Sequence, residues 1–255
     1  MQTRIKTADE IIAMREGGKV LGDLLYALNN VIKPGISALE IDQFSETFIR
    51  DHGMTPGFKG YYGFTGTVCF CINHEIVHGI PTSKQIVKDG DLVTIDCGVI
   101  HKGLNTDSAV TYLIGNVDSK AEQFVKTVQK ALYDGIREVK PGNKIGDIGY
   151  AIEKKVTQSG YHIIKDLVGH GIGEFLHEEP HVPNFGKRNS GQTLKPGLTF
   201  AIEPIVGMKT AEMITLEDGW TIVTPDSSLS CQWEHTVLIT ETGCEVLTLR
   251  PDDKI

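Results

Sequence analysis

Apolar residues recur at helical spacing through Ile11, Ile12, Met14, Val20, Leu21, Leu24 and Leu25, directly after Thr7-Ala8-Asp9-Glu10. That tetrapeptide is a capping box, so the first helix is expected to open there. Gly17-Gly18 weakens the helix and leaves room for close packing. A second helix is expected from Ser37 to about Asp51. The period then falls to two. Residues 67–73 alternate as a strand leading into His78-Gly79-Ile80-Pro81. Leu92 to Ile100 and about Thr106 to Leu113 predict antiparallel strands joined through Lys102-Gly103. Two helices follow, over about 119–138 and 144–159, and the remainder reads mostly as strands broken by Gly and Pro turns. Runs of strands beside runs of helices predict an α+β fold.

Acidic residues interrupt this pattern where strands should be apolar. Lys88-Asp89-Gly90-Asp91-Leu92-Val93-Thr94-Ile95-Asp96 is echoed by Lys195-Pro196-Gly197-Leu198-Thr199-Phe200-Ala201-Ile202-Glu203, an offset of 107 (203 minus 96). Ile32-Lys33-Pro34-Gly35 and Val139-Lys140-Pro141-Gly142 share the offset, as do Ile41 with Ile148 and Gly53 with Gly160. The period is too long for a solenoid. It predicts one domain over 1–255, built from two pseudo-symmetric lobes of about 1–118 and 119–255. A buried carboxylate is costly unless a cation or proton compensates it, so a matched pair points to a positively charged occupant where the lobes meet.

Composition narrows the class. The formal net charge is −8 and no Lys/Arg run occurs, which disfavours binding to nucleic acid or to an anionic membrane. No apolar stretch reaches transmembrane length, and Met1-Gln2-Thr3-Arg4-Ile5-Lys6 has no signal-like run. The five cysteines, Cys69, Cys71, Cys97, Cys231 and Cys244, are odd in number and lack zinc-finger spacing. Cys69 and Cys71 share a strand face and read as small buried hydrophobes or pocket lining. The chain is expected to be cytoplasmic and reduced.

Four carboxylates form two pairs: Asp96 with Glu203, and Asp107, expected to open its strand, with Glu234, which opens Glu234-His235-Thr236-Val237. Matching Val110 to Val237 gives this second pair an offset of 127 and about twenty extra residues in the second lobe. Four clustered anions need neutralisation, and two divalent cations would supply it. His170, in Gly169-His170-Gly171-Ile172-Gly173, adds a nitrogen whose flanking glycines permit close backbone approach. Oxygen ligands with one imidazole suit Mn, Fe(II) or Co, with Zn also accepted. His177-Glu178-Glu179-Pro180-His181 spells a zincin pattern, but Pro180 cannot sit inside the helix that motif requires. The glycines around His170 lack dinucleotide-fingerprint spacing and the surrounding βαβ unit.

With these segments in place, the sequence resembles the type I methionine aminopeptidases. The resemblance rests on Asn73-His74-Glu75-Ile76-Val77-His78-Gly79-Ile80-Pro81, the Asp96 and Asp107 strands, Gly169–Gly173, His177–Pro180, Phe200-Ala201-Ile202-Glu203-Pro204 and Glu234-His235-Thr236. It covers essentially the whole chain. It implies the pita-bread fold, with a central curved antiparallel sheet backed by helices. It implies a dinuclear metallohydrolase that removes the N-terminal methionine from nascent proteins through activated water. Asp107 and Glu234 match carboxylates that bridge both metals, Asp96 a chelating ligand of one, and His170 and Glu203 ligands of the other. His78 and His177 match histidines that contact substrate, and Glu203 is the expected proton shuttle. Tyr61, Phe64, Cys69 and Trp220 match the lining of the methionine pocket. Leu176, Phe58 and Phe64 depart from common family residues and leave pocket shape open on that side.

The resemblance also implies Met-initiated peptides and nascent polypeptides as partners, with transient proximity to ribosomes. A monomer is expected, because duplication already supplies both lobes. Two rivals share the fold. A prolidase or Xaa-Pro aminopeptidase would have similar ligands but usually a large N-terminal domain, and only about sixty residues precede the strand leading to His78. A binding protein that had lost catalysis would lack ligands, and all five are present.

Overall fold

The computed structural model describes residues 4–255; Met1-Gln2-Thr3 of the N-terminal reading lie outside the described residues. Helix α1 (Ala8–Val31) opens as expected. The Thr7 hydroxyl accepts from the Glu10 N–H, and the Glu10 carboxylate accepts from the Thr7 N–H. Ser37 and Glu40 repeat the device at α2 (Ala38–Asp51). Next come β1 (Thr55–Pro56), β2 (Val68–Ile72), β3 (Glu75–Val77), β4 (Leu92–His101) and β5 (Leu104–Leu113).

Strands β4 and β5 pair antiparallel over their full length around Lys102-Gly103, both with positive φ (49° and 79°). That is the geometry of a two-residue turn matched to strand twist. The His101–Leu104 and Ile100–Asn105 pairs form right against the turn. Strand β5 therefore starts two residues before the expected Thr106, and Asp107 lies inside it rather than at its opening.

The second lobe begins with α3 (Ser119–Arg137) and α4 (Ile145–Gln158). Its strands are β6 (His162–Ile163), β7 (Gly169–Gly171), β8 (Glu178–Val182), β9 (Thr199–Ile202) and β10 (Ile205–Gly207). They continue with β11 (Ile214–Thr215), β12 (Ile222–Val223), β13 (Ser230–Gln232), β14 (His235–Ile239) and β15 (Cys244–Val246). The central sheet is assembled from two antiparallel sheets. In one, β4 is flanked by β1, β2 and β5; the other runs β15-β14-β9-β7-β8. A smaller sheet, β11-β12-β3, pairs a first-lobe strand with second-lobe strands. Helices pack behind, and one apolar core runs from Leu21 and Leu24 of α1 to Ile148 and Ile152 of α4.

The duplication extends to individual hydrogen bonds. The isolated bridges Ser37↔Ile86 and Lys144↔Thr193 are 107 residues apart (144 minus 37). The Gly35 N–H donates to Val87 O and the Gly142 N–H to Leu194 O, again at 107 (142 minus 35). The second strand of each hairpin follows another offset. Thr94 faces Thr111, and Ala201 faces Thr236, which gives 125 (236 minus 111). The matched bonds Gly90 N–H to Ile114 O and Gly197 N–H to Ile239 O agree with it. The second lobe therefore carries eighteen extra residues (125 minus 107) before this strand, and the 127-residue match of Asp107 with Glu234 is two residues out of register. The slip is even, and side chains alternate with period two, so both acids still face the same side.

Glycine at position 18 serves close packing: a Cβ there would lie 2.4 Å from Leu247 O, so α1 rests directly on the C-terminal segment. A second long-range tie comes from Lys6, whose Nζ lies 2.7 Å from Glu178 Oε2, with both side chains buried. We predict that Lys6→Met, which leaves Glu178 charged and unpaired, costs about 3–5 kcal/mol of stability. A denaturant midpoint equal to wild type would contradict it.

Candidate metal centre

Each predicted ligand sits where the two sheets abut. Asp96 lies mid-strand in β4 and Asp107 in β5; His170 centres β7; Glu203 directly follows β9; Glu234 directly precedes β14. Pro204 has no N–H to continue the β9 ladder, so the chain breaks at Glu203. Hydrogen bonds seal the seam. The Glu234 N–H donates to Ala109 O (3.0 Å). Ser108 Oγ donates to Glu234 O (2.7 Å). The Asp107 N–H donates to Thr236 Oγ1 (2.9 Å), which donates back to Asp107 O (2.8 Å).

His170 is buried and fixed. Its Nδ1 lies 3.0 Å from Gly171 O, so Nδ1 carries the proton and Nε2 presents a lone pair. A Cβ on Gly171 would fall 2.2 Å from Glu179 O, so only glycine lets β7 lie this close to β8. Nε2 faces Glu203 Oε1 at 3.5 Å and Asp107 Oδ2 at 4.0 Å. One ligand atom from each of Asp107, His170 and Glu234 lies within 4.8 Å of the other two. Asp96 Oδ1, Asp107 Oδ1 and Glu234 Oε1 are buried and meet no hydrogen-bond donor among the described residues. Facing acceptors with no donors between them are what a cation satisfies, so the residues fit a divalent metal.

Burial pushes the His170 imidazole down to about 3, aided by His177. Burial lifts Asp96 to about 6. Burial, then the neighbouring acids, lifts Asp107, Glu203 and Glu234 well above the usual carboxylate range. The metal-free fold thus binds more carboxyl protons than the unfolded chain. This contribution to stability is full below the ordinary carboxyl value of about 4 and is lost as pH rises through the raised values. A metal replaces those protons. We predict that the melting-temperature gain on adding a divalent ion grows from about pH 5 to about pH 8. A gain that shrinks over that interval would count against the site.

Two compartments meet at the acids. One, about 270 Å³, is apolar on its far side, with Phe58, Tyr61, Phe64, Cys69, Leu176 and Trp220. Phe64 and Trp220 meet edge to face at 5.2 Å between ring centroids. The three residues left open for pocket shape, Phe58, Phe64 and Leu176, all line it. The other compartment, about 380 Å³, shares His78, Asp96, His170, His177 and Glu203 and extends to Asp166 and His181. His78 and His177 stand exposed at the shared mouth. His78 has φ +60°, a conformation rare for a non-glycine residue and concentrated at functional sites. The five candidate ligands, the two candidate substrate histidines and the four candidate pocket residues all line one or both compartments. The zincin pattern forms strand β8 rather than a helix, and His181 is largely exposed.

Two interactions escaped the sequence. Gln232 Nε2 reaches both Asp96 Oδ2 and Glu234 Oε2 at 3.4 Å. It occupies the place in the second lobe that Asp107 holds in the first (232 minus 107 is 125), which the correct register would have revealed. Tyr61, expected only as lining, has its hydroxyl 2.9 Å from His177 Nδ1.

Comparison with known proteins agrees with this geometry. The model of metallopeptidase family M24 matches residues 12–241. A methionine aminopeptidase of Clostridium perfringens is 43% identical over 96% of this chain and 98% of its own. The crystal structure of methionine aminopeptidase from Thermotoga maritima superposes with a TM-score of 0.96 at 39% identity, covering 98% of this chain and all of that one. A prolidase from Pyrococcus horikoshii gives 0.79 at 23% identity, covering 98% of this chain and 65% of its own, and shares the fold alone. A family model spanning most of the chain and full-length relatives at this identity place the protein in metallopeptidase family M24.

Proposed function

We propose that the chain removes N-terminal methionine from peptides and nascent proteins by hydrolysis. The observation that carries this reading is the junction of the compartments: an aromatic and apolar pocket and a second compartment lined by more ionisable side chains share the buried acids. A terminal residue can place its side chain in the first while the following chain leaves through the second. Aromatic edges and the Cys69 thiol suit a thioether. Each methylene of mismatch then costs about 1–3 kcal/mol of discrimination.

In this reading Asp107 and Glu234 would serve as ligands common to two divalent ions, Asp96 would help hold one, and His170 and Glu203 would help hold the other. Co, Mn, Fe(II) and Zn all suit the donor set. When bound, such ions supply Lewis acidity at the carbonyl and ease deprotonation of water. Glu203 would take the proton from attacking water as a carboxylate and deliver it to the leaving nitrogen as the C–N bond breaks. The Tyr61 hydroxyl donates to His177 Nδ1, leaving Nε2–H as a donor to the oxyanion. His78 contacts substrate from the opposite side of the mouth. Gln232 orients Asp96 and Glu234.

The reading includes a monomer with one catalytic domain, its lobes spanning about 1–118 and 119–255, which the repeated hydrogen bonds support. It also includes a cytoplasmic location with access to chains emerging from ribosomes. No helix among the described residues is long and apolar enough to cross a membrane. The test is peptide cleavage by chelator-stripped enzyme refilled with each metal. Free methionine should appear from Met-Ala-Ser only after refilling. Activity surviving exhaustive chelation, or preferential cleavage of Xaa-Pro peptides, would overturn the proposal.

A further inference from the structure

Behind the acids, on the face turned away from the pocket, lies a buried cation that none of the preceding chemistry uses. Arg250 is 4% exposed and belongs to the segment following β15. Its Nη1 lies 3.4 Å from Ser108 Oγ and 3.5 Å from Ala109 O. Its Nη2 lies 2.9 Å from His235 Nε2, and its guanidinium sits 5.1 Å from the centre of the Trp233 ring. These contacts fall on the residues after Asp107 and on both neighbours of Glu234. Strand alternation explains the arrangement: side chains adjacent to a pocket-facing acid point to the opposite face.

We propose that Arg250 is a positioning residue for the metal centre, one fork that spans the seam and holds the Asp107 and Glu234 strands at their separation from behind. The inference rests on the reading of those two acids as ligands.

The supporting contacts are local and directional. Ser108 Oγ donates to Glu234 O while lying within reach of Arg250, so the guanidinium connects to both strands through one hydroxyl. A guanidinium has no acceptor, so the 2.9 Å contact requires an unprotonated His235 Nε2. His235 Nδ1 then donates to Thr248 Oγ1, which also accepts from the Thr236 N–H. The longer 3.3 Å approach of Asp253 to the same Nε2 is left as a contact without a proton. Asp253 instead faces Arg250 directly, accepting from its side chain and main chain and from the Tyr133 hydroxyl. The carboxylate orients the fork and neutralises it in a site with little water.

A lysine can supply the charge but cannot bridge two strands with a planar fork. The experiment is calorimetric titration of metal-free protein with Co(II) alone, for wild type, Arg250→Met, Arg250→Lys and Arg15→Met. Arg15 pairs with Glu245 on the surface and serves as the control. Folded Arg250→Met should bind Co(II) about 10- to 100-fold more weakly, as loss of an outer-shell partner does, with Arg250→Lys weakened less and Arg15→Met unchanged. An Arg250→Met that melts cooperatively and binds within about twofold of wild type overturns the proposal. If that variant does not fold, Arg250→Lys decides: affinity within about twofold of wild type overturns it and weaker binding supports it. Wild type that binds no Co(II) would overturn the functional reading as well, so the two failures are distinguishable.

Discussion

Glu234→Ala is expected to abolish turnover and release metal. Glu234 is fully enclosed; among the described residues Gln232 Nε2 is the one side-chain donor reaching it, at 3.4 Å, and its other oxygen meets no donor. A carboxylate so placed suits a cation. Losing a bridging ligand should weaken metal binding by more than the roughly 10- to 100-fold attached to an outer-shell partner. Glu234→Gln also removes one of four mutually repelling acids, while keeping the side chain's shape. Metal-free Glu234→Gln should therefore melt higher than metal-free wild type, the reverse of its effect on activity. Metal analysis, peptide turnover and calorimetry on one preparation read all three, and an active, fully metal-loaded Glu234→Ala would remove the bridging role.

His177→Ala should separate chemistry from metal binding. His177 stands at the mouth, 4.3 Å ring to ring from His170, and its Nδ1 is engaged by Tyr61. Loss of an oxyanion donor typically lowers turnover about 100- to 1000-fold, or roughly 3–4 kcal/mol. Metal stoichiometry should stay at the wild-type value, because no ligand is touched. Metal lost together with activity would mean that the imidazole holds the centre itself. Burial also lowers the His177 basicity, so the neutral imidazole that this role needs predominates at neutral pH.

Local signals in the sequence translated well. The Thr7 cap, the Lys102-Gly103 hairpin and the glycines around His170 each need only a few neighbouring residues to be recognised. The acids were legible for another reason: charge inside apolar runs is conspicuous, and the match of Asp96 with Glu203 at the same offset as the Lys-Pro-Gly turns made coincidence a poor account. What escaped depends on partners far apart in the chain. Lys6 with Glu178, Arg250 with Ser108, and Tyr61 with His177 are separated by 172, 142 and 116 residues. No pattern in either segment announces its mate. The register of β14 was missed by two residues because Val237 resembled Val110, whereas the ladder is set by hydrogen bonds to β9.

The apolar compartment has a consequence for what the protein leaves alone. Phe58, Phe64 and Cys69 line it and are all buried, so the floor they make has protein behind it rather than solvent. A polypeptide threaded mid-segment has chain on both sides of the bond and no second exit for it. Only a free terminus can fill a blind chamber, which turns the floor into a ruler one residue deep. Loops and folded domains presented to the same acids find no way in, and the enzyme can work in a crowd of finished proteins without nicking them.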